Sequence, residues 1–210
     1  MCTVAPSIAP RFWFPEITGW FQESEALHLF TAVQLLRPAR ILEIGTFYGR
    51  STATICSAIA AMQRSVQFIS CDLDFRSEQE FCALFGAIHN VAQVHLPAEC
   101  EEAFSQGLST LEYAQLQLRR ANLLPFVQLR AGDFRSIRGK FDVIFADVLH
   151  DQREIEANLP GITDKLESDG VLAAHDLSEE NLHTMQRVSP TLRFISQSAY
   201  LGLFRYEPTR

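Results

Sequence analysis

The sequence predicts an α/β protein: a doubly wound, mostly parallel seven-stranded sheet with an antiparallel strand in a C-terminal hairpin. Three observations carry this. Short apolar runs recur along the chain with the spacing and composition of buried strands. Helix-length segments separate most of them, which implies crossover connections and helices on both faces of a parallel sheet. The last two runs are joined by Gln197-Ser198-Ala199 alone, too short for a crossover, so they pair as a hairpin.

The elements follow in order. Residues 1–22 are rich in Pro and aromatic residues, too apolar for a free tail, and read as a packed lead-in. Glu23 to Leu36 places Ala26, Leu29, Phe30, Val33 and Leu36 at helical period, and Pro38 stops it. Ala39 to Ile44 is a strand running into Gly45, and Arg50 to Met62 is the helix after it. Ser65 to Cys71 is the second strand, ending at Asp72; Ser77 and Glu80 have capping-box spacing for a further helix. Phe126–Arg130, Phe141–Asp147 and Gly170–His175 are the next strands, with a helix over about Gln152 to Leu166 that Pro160 and Gly161 interrupt. Leu192 to Ser196 and Tyr200 to Arg205 form the hairpin. About fifty residues lie between Asp74 and the third strand, roughly twice what one helix and a turn require. The excess, about 97–120, carries an apolar stripe of Phe104, Leu108, Leu111 and Leu118. It fits a lid, a homodimer contact or an extra helix packed on the core.

Composition narrows the function. The 210 residues suit one domain spanning 1–210 that buries a core without disulfides. A net charge of −7 argues against a nucleic-acid surface, which needs a basic footprint. The longest run without charged residues, Phe81 to Ala98, holds His89, Asn90, Gln93, His95 and Pro97 and is a poor membrane span. The start of the chain does not read as a secretory signal. Five scattered cysteines without a Cys-x-x-Cys pair read as reduced thiols of a cytoplasmic protein. With Lys140 and Lys165 the sole lysines, mechanisms built on a catalytic lysine have two candidates.

Gly45-Thr46-Phe47-Tyr48-Gly49 sits between a strand and a helix, where backbone N–H groups can approach a ligand. A dinucleotide fingerprint fails, because Phe47 and Arg50 stand where it needs glycines. A phosphate-binding P-loop fails too, for want of a fourth intervening residue and a lysine. A third class of turn carries an acid two residues before the first glycine, as Glu43 does; an ordinary tight turn would look the same.

Glu43-x-Gly45-x-x-x-Gly49 resembles the first motif of class I S-adenosylmethionine (SAM)-dependent methyltransferases, and the likeness continues in order. Asp72 ends the second strand, Gly132-Asp133-Phe134 follows the third, and Phe141–Asp147 and Gly170–Asp176 match the fourth and fifth. More narrowly, Gly19-Trp20-Phe21-x-x-Ser24-Glu25, Asp147-x-x-His150 and His175-Asp176 resemble small O-methyltransferases acting on sugars and secondary metabolites. The resemblance covers about residues 19–206 and implies a Rossmann-like methyltransferase fold, SAM as cofactor and a small-molecule acceptor. It assigns the cofactor to Glu43, Gly45, Thr46, Gly49, Ser51, Asp72, Asp133, Phe134 and Asp147, with Asp72 on the ribose diol and Asp133 and Phe134 on adenine. A carboxylate accepting two hydrogen bonds side by side suits a vicinal diol. Asp74 is the second choice for the ribose.

His150 is the candidate catalytic base: it follows Asp147 at the sheet edge where ligands bind, and an imidazole takes a hydroxyl proton near neutral pH. It could equally contact the cofactor or cap the next helix. Asp147, His175 and Asp176 end adjacent strands and could instead hold a divalent metal. Catechol-type relatives use Asp, Asp and Asn for magnesium; a histidine at 175 points toward manganese, iron or zinc. The reading without a metal is preferred. The alternative function is a SAM-binding protein of the same fold that acts as a cyclase or binding module.

Overall fold

The structure, a computed structural model, describes residues 11–89 and 98–208. Seven strands form one sheet: β1 (Arg40–Ile44), β2 (Gln67–Asp72), β3 (Gln128–Ala131), β4 (Phe141–Ala146), β5 (Leu166–Ala174), β6 (Leu192–Ser198) and β7 (Leu201–Tyr206). Their order is β3-β2-β1-β4-β5-β7-β6. β7 runs antiparallel to both β5 and β6, while the pairs among β1 to β5 are parallel. The strand order reverses between β1 and β4, and open parallel sheets bind ligands at such a reversal.

Alternation along the central strands explains how both faces are covered. Ile41 of β1 and Val143 and Phe145 of β4 face α1 (Glu23–Leu36) and α2 (Arg50–Met62), packing with Leu29, Val33, Ile55 and Ile59. The intervening Leu42, Ile44 and Ile144 face α6 (Gln152–Thr163) and α7 (Glu179–Val188), packing with Ile155, Leu159 and Met185. A two-residue period thus feeds two cores from one sheet.

Several boundaries differ from expectation, with β2 starting at Gln67 rather than Ser65 and β6 running on through Gln197 to Ser198. Pro125 lacks an N–H and sits in a 3₁₀ turn over Leu124–Phe126, so β3 starts at Gln128 rather than Phe126. α6 contains Pro160 but ends at Thr163, not Leu166; Asp164 and Lys165 turn back onto Pro160 and Ile162 through backbone hydrogen bonds. Leu166 therefore opens β5, opposite Phe141, well before Gly170.

The lead-in is described from residue 11. Phe14, Ile17 and Phe21 are buried in the α1–α2 core. Arg50, the first residue of α2, donates from Nε to the Ile17 carbonyl (2.6 Å) and from Nη1 to that of Phe21 (3.3 Å), so these residues lie across the sheet edge. The extra segment after α3 (Glu78–His89) is two helices, α4 (Ala98–Ser105) and α5 (Thr110–Arg120). Ser109 and Glu112 cap α5 reciprocally, at 3.2 and 2.9 Å. Leu118 of α5 enters the α1–α2 core, while Tyr113 packs with Tyr48 and Phe81. Of the stripe expected there, Leu118 is buried, whereas Phe104, Leu108 and Leu111 are half-buried. Residues 90–97, with His95 and Pro97, lie outside the described residues, as do Cys2 and the rest of 1–10.

Candidate active site

A cavity of about 710 Å³ opens at the carboxyl ends of β1, β2, β3, β4 and β5. That volume falls within the roughly 300–1,000 Å³ of small-ligand sites. Its floor is the turn after β1. Gly45 has φ +93°, and a Cβ there would lie 2.9 Å from the Asp147 carbonyl oxygen and 3.0 Å from the Asp147 Cβ. Only glycine lets the β1 and β4 ends approach this closely. Phe47 also has positive φ (46°), uncommon for an aromatic residue. In that conformation its N–H donates to Asp72 Oδ2 at 2.8 Å, and the Asp74 N–H donates to Oδ1 at 3.1 Å. Two backbone donors thus fix the Asp72 carboxylate at the cavity wall. Burial pushes the Asp72 carboxyl above the usual carboxylate range, against those two hydrogen bonds.

Glu43 lies beneath the turn, fully buried and outside the cavity lining. Ser51 (2.6 Å), Thr52 (2.6 Å) and Ser70 (2.5 Å) donate their hydroxyls to its two oxygens. The Thr46 hydroxyl meets that of Ser70 at 2.5 Å. Burial raises the Glu43 carboxyl to about 7, although the three hydroxyls oppose the rise. Ser51 and Thr46 line the cavity, so Glu43 reaches it through them and not by its own carboxylate. Gly49 caps α2 with φ +90°. Further along, Asp133 caps the 3₁₀ turn Phe134–Ser136 by accepting from the Arg135 N–H (2.8 Å), and both Asp133 and Phe134 line the wall.

At the other end, Asp147, His150, His175 and Asp176 come together. His175 Nδ1 lies 2.8 Å from Asp147 Oδ1, and its Nε2 lies 3.3 Å from Glu25 Oε2. His150 Nδ1 lies 2.5 Å from Glu154 Oε2; its Nε2 is 3.4 Å from Asp176 Oδ2 and 3.6 Å from Asp147 Oδ1. Asp147, His175 and Asp176 each bring a ligand atom within 4.8 Å of the others, a spacing that could hold a divalent cation. Burial alone would lower both imidazoles, but the carboxylates outweigh it: His150 is raised to about 11 by Asp147 and Glu154, and His175 to about 10 by Asp147 and Glu25. Although burial works against ionisation, the two histidines hold Asp147 well below the usual range. Asp176 goes the other way, raised by burial and by the Asp147 charge. Two imidazoles thus stand among four carboxylates, so a surplus of negative charge remains even when both are protonated.

Three residues of this end carried no sequence-based assignment. Glu25 and Glu154 are described above. Buried Asn181 donates from Nδ2 to the carbonyls of His150 (3.0 Å) and Asp176 (3.0 Å), tying the β4 and β5 loops together. Glu154 was findable: His150 and Glu154 are four apart at a helix start, with Asp151 capping.

A family model described as a methyltransferase domain matches residues 42–177. No curated protein compared with the chain matches it significantly. Among solved structures, an O-methyltransferase from Bacillus cereus in complex with SAH is 16% identical, with a TM-score of 0.56 over 89% of this chain and 82% of that one. The O-methyltransferase TomG from Streptomyces achromogenes, involved in tomaymycin synthesis and solved with SAM, is 14% identical, with a TM-score of 0.55 over 92% and 83%. A SAM-dependent O-methyltransferase from Thermotoga maritima is 12% identical, with a TM-score of 0.61 over 93% and 69%. At such identities the likeness is one of fold.

Proposed function

The chain belongs to the methyltransferase-domain family, and from that premise we propose that it transfers the methyl group of SAM to a hydroxyl of a small molecule. One observation carries the reading: a single cavity joins a fixed carboxylate suited to a diol with an acidic cluster suited to a cation. SAM has both features, two ribose hydroxyls and a sulfonium with an ammonium group. Each oxygen of Asp72 keeps acceptor capacity after taking one backbone N–H, so the pair can accept the ribose hydroxyls together. Asp133 and Phe134 line the same cavity and are the residues we assign to the adenine. Bound there, SAM would supply an electrophilic methyl group: an aligned acceptor oxygen would form its bond to that carbon in line as the carbon–sulfur bond breaks and S-adenosylhomocysteine leaves.

The acceptor hydroxyl must be positioned and must lose its proton. His150 lines the cavity beside Asp147 and Asp176. Held near 11 by Asp147 and Glu154, it is an imidazolium in the free protein and cannot act as a base in that state. When Asp147 and Asp176 are shared with a cation, their pull on His150 weakens and its pKa falls toward neutrality. The imidazole then accepts the hydroxyl proton and passes it toward Glu154 at 2.5 Å. The cofactor's own positive charge can serve as that cation. The 4.8 Å grouping favours a second reading, in which Asp147, His175 and Asp176 would hold a manganese, iron or zinc ion that would supply Lewis acidity to the acceptor hydroxyl.

The acceptor class, sugar or secondary metabolite, and a cytoplasmic setting remain part of this proposal. Among the described residues no helix is long and apolar enough to cross a membrane. Calorimetric titration of the protein with SAM tests the reading first; absence of binding would sink it. Methyl transfer to a panel of sugar and phenol hydroxyls follows, with EDTA and with added manganese. Activity lost to EDTA and restored by manganese selects the metal reading. Binding of SAM without transfer to any hydroxyl selects a non-methylating role.

A further inference from the structure

We infer that Glu25 is a positioning residue of this active site: it clamps the Nε2 edge of His175 and, through that ring, sets the carboxylate of Asp147. The inference rests on the methyl-transfer reading of the cavity and assigns a task to a residue that does not line it. Glu25 belongs to the first turn of α1, yet its side chain is fully buried. Buried carboxylates are rare unless donors surround them. Three donors converge here. The Gln22 N–H donates to Oε2 at 2.7 Å, and the Tyr200 N–H, from the β6–β7 turn, donates to Oε1 at 3.0 Å. The third is His175 Nε2, 3.3 Å from Oε2.

An ionised carboxylate has acceptors only, so an attractive contact requires a proton on His175 Nε2. The ring's other nitrogen, Nδ1, is thereby presented to Asp147 Oδ1 at 2.8 Å. The rings of Phe21 and Phe145, with centroids 5.5 and 6.2 Å from that of His175, restrict any swing away from this line. The two backbone N–H groups meet different oxygens, Oε2 and Oε1, so the cap and the hairpin turn already call for a carboxylate, and the imidazole adds a third donor on Oε2. A chain of contacts therefore runs Glu25–His175–Asp147, from a sealed position on α1 to the cavity wall. It makes α1 and the C-terminal hairpin part of the support of the site.

Protein carrying ¹⁵N-labelled histidine tests this, wild type against Glu25→Gln. In the free wild-type protein, the two-bond ¹H–¹⁵N correlation should show His175 Nε2 as protonated. Glu25→Gln should shift that pattern and lower kcat by about 10–100-fold, the usual loss when the partner of a site histidine is removed. SAM affinity should fall by less than kcat does, since a loss that falls mainly on kcat marks misplaced reacting groups. An unchanged histidine pattern, or an unchanged kcat in folded Glu25→Gln, overturns the assignment and leaves Glu25 a structural cap. If Glu25→Gln does not fold, Glu25→Asp decides, because it keeps the charge but draws the oxygens back from His175: an unchanged kcat overturns the clamp and a lowered one supports it. The spectra need no turnover, so a failed clamp is distinguishable from a protein that does not bind SAM.

Discussion

The two ends of the cavity are both acidic, yet they hold their acids by opposite means. At the Gly45–Gly49 end, Glu43 and Asp72 are met by hydroxyls and backbone N–H groups, neutral donors, and burial raises both carboxyls. At the β4–β5 end, Asp147 is met by two imidazoles, and their charge depresses it. Neutral donors fix a carboxylate in place without cancelling its charge. Protonated histidines neutralise it, and they can be displaced by another cation. On the proposed function, the first end orients the ligand and the second exchanges one positive charge for another.

That contrast can be broken at each end. The largest effect is expected at the second. His150→Gln should lower the methylation rate by about 10²–10⁴-fold while SAM affinity stays nearly intact, as measured by initial rates and calorimetry. A rate within tenfold of wild type would remove His150 from the proton path. At the first end the loss should fall on binding instead. Asp72→Ala removes two charge-assisted hydrogen bonds to the ribose, and SAM affinity should drop about tenfold or more with the fold intact. Unchanged affinity would move the ribose to Asp74 or discard the cofactor reading, and Asp74 is ill placed for it: it does not line the cavity, and its Oδ1 receives the Leu111 N–H at 3.2 Å.

The ends meet at Gly45, where a Cβ would press on Asp147. Gly45→Ala should destabilise by on the order of 1–3 kcal/mol from the positive φ. For a chain of this size each kcal/mol lowers Tm by about 2–4 °C. A Tm equal to wild type would mean that the turn relaxes and that the two ends are not geometrically locked.

The smallest effect should sharpen the comparison most, because pH separates the ends. Glu43 is raised from 4.5 to about 7, so its contribution to stability is full below 4.5 and is lost as pH climbs through 7. His150 and His175 are raised from 6.5 to about 11 and about 10, so theirs is full below 6.5 and fades toward pH 10 and above. Asp147, depressed, adds stability that is lost on acidification below the ordinary Asp value of 3.8. Melting curves should therefore fall in two windows, each by a few degrees or so. Glu43→Gln should weaken the lower fall and His150→Gln the upper one, where His175 keeps its own share. A single transition insensitive to either change would show the ends to be electrically alike.

Much of this was legible in the sequence, for a physical reason. α1 and α2 announce their limits through helical period, Pro38 and the flanking glycine, so both were read with their observed bounds. Asp72, Asp133, Asp147 and His175 each follow or end a strand, and a parallel sheet brings such positions to one edge whatever the loops do. The limits of β3 and α6 were misjudged where proline chemistry and apolar pattern conflict, at Pro125 and Pro160. Glu25 illustrates what pattern cannot deliver. It lies 150 residues from His175, and on its own helix it looks like any acid of a first turn. Only tertiary packing reveals that it is buried. Glu43 was assigned to the cofactor by its place before the turn, but it lies outside the cavity lining, and the ring of hydroxyls that seals it comes from two elements, α2 and β2.

Arg50 has a consequence for how such a cavity can diversify. It holds the front wall by the main-chain carbonyls of Ile17 and Phe21, not by their side chains. Anchorage through carbonyl oxygens is indifferent to which residues occupy the wall. Gly19, whose Cβ would sit 3.2 Å from that of Arg50, is the exception. Thr18 and Trp20 line the cavity, and Trp20 is 56% exposed. Selection can therefore re-line the face that meets the acceptor while the strap that carries it keeps its hold.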